Sequence, residues 1–130
     1  MDHIVALFGE AEKGGFRTAH FCQNLVDLAH KLGEPPSRDS KGIELAVQAI
    51  LYQRDVIFFR VHEEGFSIQD YLQGLQFLED RKLTPRISAV CLPGVGSVEI
   101  LEATTSVCTL HQSFLILTER DLYDYLTSSI

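Results

Sequence analysis

The sequence predicts an α/β fold: three layers, with helices covering both faces of an open parallel sheet of about four strands. Three observations lead there. Four short runs, at 4–8, 56–61, 87–92 and 114–118, are almost continuously apolar and rich in aliphatic and β-branched residues. Strands covered on both faces read this way, whereas strands with one wet face alternate. Segments with apolar residues at three- and four-residue steps separate the runs, which is helical period. Strands alternating with helices imply parallel pairing through right-handed crossovers.

The first strand, Ile4-Val5-Ala6-Leu7-Phe8, runs into the glycine-rich stretch GEAEKGGF. Ala19, Cys22, Leu25, Val26, Ala29 and Leu32 then recur at helical steps, and Gly33 stops that helix. Two prolines in GEPPSRDSKG forbid helix and make 33–42 a loop. A second helix, from 43 to about 52, leads into the second strand. Ser67 with Asp70 three residues later predicts a capping-box-like start for a helix that buries Ile68, Tyr71, Leu72, Leu75 and Leu78. After the third strand, LPGVGSVE opens a helix from 97 to about 109 that offers Ile100, Leu101, Thr104, Val107 and Cys108 to the core. Thr118 with Asp121 caps a short last helix containing Leu122, Tyr125 and Leu126. The order β-α-α-β-α-β-α-β-α is expected to give strand order 2-1-3-4 within one domain spanning 1–130. No internal repeat or low-complexity tract interrupts it.

Composition narrows the partners. With 130 residues, 45% hydrophobic and 22% charged, the chain can bury a core without disulfides or metal. Its formal net charge of −7 repels a phosphate backbone, and no basic run offsets it, so nucleic acid is not an expected partner. No apolar stretch is long enough to span a bilayer, so no membrane partner is expected. MDHIVALFGE has no basic lead and too short an apolar run for a signal peptide, which makes a cytoplasmic location the expectation. Cys22, Cys91 and Cys108 are odd in number, widely spaced and set among apolar residues, as buried free thiols in a reducing compartment are. The five histidines are scattered without metal-ligand spacing, and no metal site is expected.

Ligands of open parallel sheets bind beyond the carboxyl ends of the strands. Four loops converge there, at 9–15, 62–65, 93–97 and 118–120. In the first, Gly9 and Gly14 have the spacing of a phosphate loop, but Gly15-Phe16 stands where a lysine and a hydroxyl residue are needed. Glu10 and Glu12 add negative charge where phosphates would sit, so this loop is expected to be a lid or rim. In the second, Gly94-Val95-Gly96 allows close backbone approach, and Ser97 can offer its hydroxyl while capping a helix whose N–H groups favour an anion. His62-Glu63-Glu64 lies beyond a strand end, where an imidazole or carboxylate could act as acid or base. Ser97 has no base nearby in sequence and is not in a G-x-S-x-G elbow. Phe58-Phe59 and the pair Tyr123 and Tyr125 are read as core or subunit-contact residues.

ISAVCLPGVGSVEILEA, the strand FLILT and the helix bearing DLYDYL resemble the C-terminal part of the lysine-decarboxylase-like phosphoribohydrolases, which are Rossmann-like nucleotide hydrolases. That family carries P-G-G-x-G-T-x-x-E after a strand. The resemblance implies a nucleotide-binding shape, and it places Arg81-Lys82 where an upstream Arg-Lys pair of the family contributes its arginine to the active site. LFGEAEKGG falls at the family's first-strand turn. The likeness covers the last third of the chain, and the family's central glycine-rich segment has no counterpart. Pro93 holds the first motif glycine's place and Ile100 that of the catalytic glutamate. Glu99 comes one residue early, about 100° away on a helix.

The expected ligand-binding residues are therefore Gly9, Glu10, Gly14, Arg81, Gly94, Gly96, Ser97 and Glu99. The expected function is binding of a nucleotide or other anionic metabolite without catalysis; neither a catalytic residue nor a cofactor is assigned. The alternatives are a ligand-free interaction or structural protein acting through self-association as a homo-oligomer or through a protein partner, and an N-glycosidic hydrolase using Glu63 or Glu99.

Overall fold

The computed structural model describes residues 3–80, 82 and 84–128. Along the chain these form β1 (Ile4–Gly9), β2 (Ala19–Cys22), α1 (Leu25–Leu32), α2 (Gly42–Leu51), β3 (Asp55–Arg60), α3 (Ile68–Glu79), β4 (Ala89–Cys91), α4 (Val98–His111), β5 (Phe114–Ile116) and α5 (Glu119–Thr127). The sheet has five strands in the order β2-β3-β1-β4-β5. β3, β1, β4 and β5 pair in parallel, whereas β2 runs antiparallel to β3. The sheet is thus mixed, and its strand count and order differ from the expected four-stranded 2-1-3-4 arrangement by the strand added outside β3.

That fifth strand corrects the expected first helix. Ala19–Cys22 hydrogen-bond against β3 from Phe59 to Val56, so the apolar residues at 19 and 22 belong to a strand. The helix starts only at Leu25, because Asn24 caps it: its side-chain oxygen accepts the Asp27 N–H at 2.8 Å. Gly33 ends it as expected, donating its N–H to the Ala29 carbonyl.

Both faces of the sheet are covered. Along β1, Val5 and Leu7 point to one side, into a core shared with Leu28, Leu32, Ile43, Ala46, Leu122 and Leu126 from α1, α2 and α5. Ile4, Ala6 and Phe8 point to the other, against Tyr71, Leu75, Leu78, Ile100 and Val107 from α3 and α4. Phe58 and Phe59 are core residues on opposite faces. Cys22 and Cys91 are buried, Cys108 is partly buried, and all three are free. No helix among the described residues is long and apolar enough to cross a membrane.

Candidate functional site at the carboxyl edge

Beyond the carboxyl end of β1, the backbone of GEAEKGGF turns its carbonyls inward. Arg60, the last residue of β3, donates from Nε to the Ala11 carbonyl at 3.1 Å, from Nη1 to that of Gly14 at 2.6 Å and from Nη2 to that of Glu12 at 3.4 Å. A phosphate loop presents N–H groups to its ligand; here three carbonyls grip a guanidinium instead. Gly9 serves packing, since a Cβ there would lie 2.6 Å from the Cα of Gly42, so the end of β1 touches the start of α2.

The helix N-terminus at that contact already holds an anion. The Glu64 carboxylate accepts the N–H groups of Lys41 at 2.6 Å, Gly42 at 3.1 Å and Glu10 at 2.9 Å. Burial raises the Glu64 carboxyl above its ordinary range, and the nearby Glu10 charge adds to this, against the opposing pull of the three amides. Glu10 accepts in turn from the Ser40 hydroxyl and the Glu64 N–H. Glu10 is therefore part of an internal cap rather than a group offered to a ligand.

The second glycine loop leans on the 61–67 loop. Gly65 has φ of +91° and donates its N–H to the Tyr71 hydroxyl at 2.6 Å, while a Cβ on it would meet the Gly94 carbonyl oxygen at 2.6 Å. Close backbone approach thus belongs to Gly94, whereas a Cβ at Gly96 would find nothing within 4 Å. Ser97 caps α4 as expected, accepting the Ile100 N–H. Ile100, at the position of the resembled family's glutamate, is fully buried in the core, and Glu99 and Glu63 are exposed. Arg81 lies outside the described residues.

A different set of side chains converges among the loops of the same edge. Asp70 does not cap α3 in a box with Ser67, whose side chain makes no capping bond to that helix. Its buried carboxylate faces the loops, accepting from Arg17 Nε at 2.7 Å on one oxygen and from the His62 N–H at 2.9 Å on the other. His62 Nδ1 lies 2.8 Å from that second oxygen. Burial raises the Asp70 carboxyl, but the bonds from Arg17 and His62 outweigh it and hold the group below its ordinary range. An ionised Asp70 can only accept, so it places a proton on Nδ1 and turns Nε2 outward. Phe16 stacks on the His62 ring at 3.6 Å between centroids, and Arg60 lies over the other side of Phe16 at 4.1 Å. Arg17 sits in the left-handed region, φ 58°, a conformation uncommon outside glycine.

Arg17, His62, Phe66, Ser67 and Asp70 line a cleft of about 400 Å³ that includes neither glycine loop. Phe66 is 69% exposed beside it. Asp70 engages only Nε of Arg17, which leaves both Nη groups for a ligand. The cleft therefore offers an oriented imidazole, a guanidinium and an exposed aromatic face. Arg17, Phe66 and the role of Asp70 escape sequence reasoning because no local spacing joins position 17 to 62 and 70; the antiparallel β2–β3 pairing, with Ala19 opposite Phe59, does. Among the described residues no group of three or more His, Cys, Asp or Glu could hold a metal ion. Comparison of the chain with protein-family models, with curated proteins and with solved structures finds no match.

Proposed function

We propose that this chain binds a small anionic metabolite of the nucleotide class at the carboxyl edge of its sheet, with the site centred on Arg17 and His62. The observation that carries this is the Arg17–Asp70–His62 cluster. A buried carboxylate fixes the Arg17 guanidinium and the His62 imidazole at the mouth of a 400 Å³ cleft, and their outer nitrogens have no hydrogen-bond partner among the described residues. Phosphate or carboxylate oxygens suit the paired Nη groups of Arg17, and a planar base suits the exposed face of Phe66. Pockets of this volume accommodate ligands of that size. The test is thermal unfolding against a panel of nucleotides at constant ionic strength. A saturable rise in Tm is expected for at least one; no response to any member sinks the proposal.

Self-association is the alternative, and one observation favours it: edge strand β5 presents Phe114 and Leu115 to solvent. Exposed strand edges pair readily with a second chain. Light scattering after size exclusion decides it, since a monomer at all concentrations rules self-pairing out.

A further inference from the structure

A separate groove runs between α1 and α2. Its volume is about 570 Å³, within the range of small-molecule pockets. Leu25, Leu28, Ile43 and Val47 form its apolar walls, and Glu34, Glu44 and Glu119 stand around them. Among the described residues no cationic side chain lines it. Glu44 has an exposed partner in Lys41, whose Nζ is 3.6 Å away, and Glu119 accepts from Gln48 Nε2 at 2.8 Å. Neither Glu34 nor Glu119 forms a salt bridge among the described residues.

Apolar walls combined with the carboxylates of Glu34 and Glu119, which no salt bridge among the described residues compensates, define the complement. The ligand needs an apolar body to displace water from the leucines, isoleucine and valine, and a positive charge to meet the carboxylates. An anion or a neutral molecule, even one with an apolar body, leaves the carboxylates unmet. We infer that the α1–α2 groove is a binding site for a small organic cation, an ammonium group carried on an apolar body of several carbons. The site is independent of the Arg17 cleft and opposite to it in charge.

Hexylamine, protonated at pH 7, is the probe, with hexanol and hexanoate as neutral and anionic counterparts, titrated into the full chain at constant ionic strength and followed by amide NMR shifts. Hexylamine is expected to bind saturably, with perturbed amides confined to α1, α2, Gly33, Glu34 and the start of α5, at least ten times tighter than hexanol, and hexanoate not at all. Glu34→Gln with Glu119→Gln changes only exposed side chains; it should bring hexylamine down to the affinity of hexanol and leave hexanol unaffected. Arg17→Gln should leave all three titrations as they are, which separates this site from the anion cleft. Equal binding of amine and alcohol, unchanged amine affinity in the double variant, or unsaturable shifts spread over the acidic surface would each overturn the inference.

Discussion

Glu10 and Glu64 hold each other's backbone: the Glu64 N–H donates to Glu10 Oε2 and the Glu10 N–H to Glu64 Oε1, both at 2.9 Å. Through Glu64 the same pair caps α2, so three segments distant in sequence meet on two carboxylates. Glu64→Ala strips acceptors from three amides, each of which costs about 1 kcal/mol or more when left without a partner. The expected loss is about 2–3 kcal/mol, a fall in Tm of roughly 7–10 °C for a domain of this size. Circular dichroism melts at pH 7 measure it; a change below a degree would mean that water replaces the carboxylate at no cost.

Opposite pH signatures are expected of Glu64 and Asp70. The folded-state pKa of Asp70 is lowered, so its stabilisation is complete above the unfolded value, near 3.8, and is lost as pH falls through the folded one. The stability gap between wild type and Asp70→Asn should therefore narrow below about pH 3.8. The Glu64 pKa is raised by burial above 4.5, so the pH-dependent part of its contribution is present below 4.5 and lost as pH rises through the folded value. Relative to Glu64→Gln, wild type should gain stability as pH falls from neutrality toward 4.5. Urea titrations of both variants at pH 7, 5 and 3 give the two slopes, and equal slopes would contradict the assignment.

The sequence carries the two-sided core plainly, because a strand buried on both faces is apolar at every position, as Ile4–Gly9 and Asp55–Arg60 nearly are. It hides β2, because an edge strand of four residues with only Cys22 fully buried shows no period of its own. Its apolar residues fall in step with the helix that follows, and Asn24 with Asp27 was the local sign that the helix begins later. The site is less legible than the fold. The missing lysine and the acidic residues of GEAEKGGF do argue against a phosphate loop, but nothing local says that Arg60 would grip it. Ser67 and Asp70 have capping spacing, yet a carboxylate gains more from a guanidinium and an imidazole than from one helix amide, and those partners lie 53 and eight residues away.

The two loop glycines that approach or face the edge should respond unequally to substitution. Gly65→Ala forces a side chain into φ of +91° and against the Gly94 carbonyl at 2.6 Å. A strained backbone of this kind costs about 1–3 kcal/mol, and the clash adds to it. Gly96→Ala meets nothing within 4 Å and should stay within about 0.5 kcal/mol of wild type. Urea midpoints at unchanged slope report both values; a neutral Gly65→Ala would show that the two loops do not touch in solution.

Thiol chemistry should be slow in the native state. Burial pushes Cys91 up to about 12, and Cys22 and Cys108 up to about 11. At pH 8 the thiolate fraction at pKa 11 is roughly a hundredth of that at the ordinary 9.0. Disulfide-exchange reagents should modify native protein at least that much more slowly than protein in guanidinium, where all three thiols react. One fast native thiol would place that cysteine on an open surface.

The proposed anion site has two candidate centres on this edge, the Arg17 cleft and the amide-lined start of α4 beside Gly96, and one pair of variants tells them apart. At ligand about a hundred times its Kd, wild type should gain about 2.7 kcal/mol, or roughly 10 °C. Arg17→Gln removes both outer guanidinium nitrogens. It also takes a partner from buried Asp70 and lowers Tm by itself, so the quantity to read is the ligand-induced increment, not Tm. That increment should fall to a quarter or less, and Arg17→Lys should not restore it, because an ammonium cannot serve Asp70 and a phosphate with one fork. Gly96→Asp places a carboxylate in open space at the α4 end, where it would repel an anion seated on those amides but not one seated on Arg17. Its increment should match wild type within about a degree, on the same conversion of free energy to Tm. The reverse pattern, with Gly96→Asp silent to ligand and Arg17→Gln responsive, would move the anion to the Gly94–Ser97 loop and leave the Arg17–Asp70–His62 cluster a structural tie between the 61–67 loop and α3.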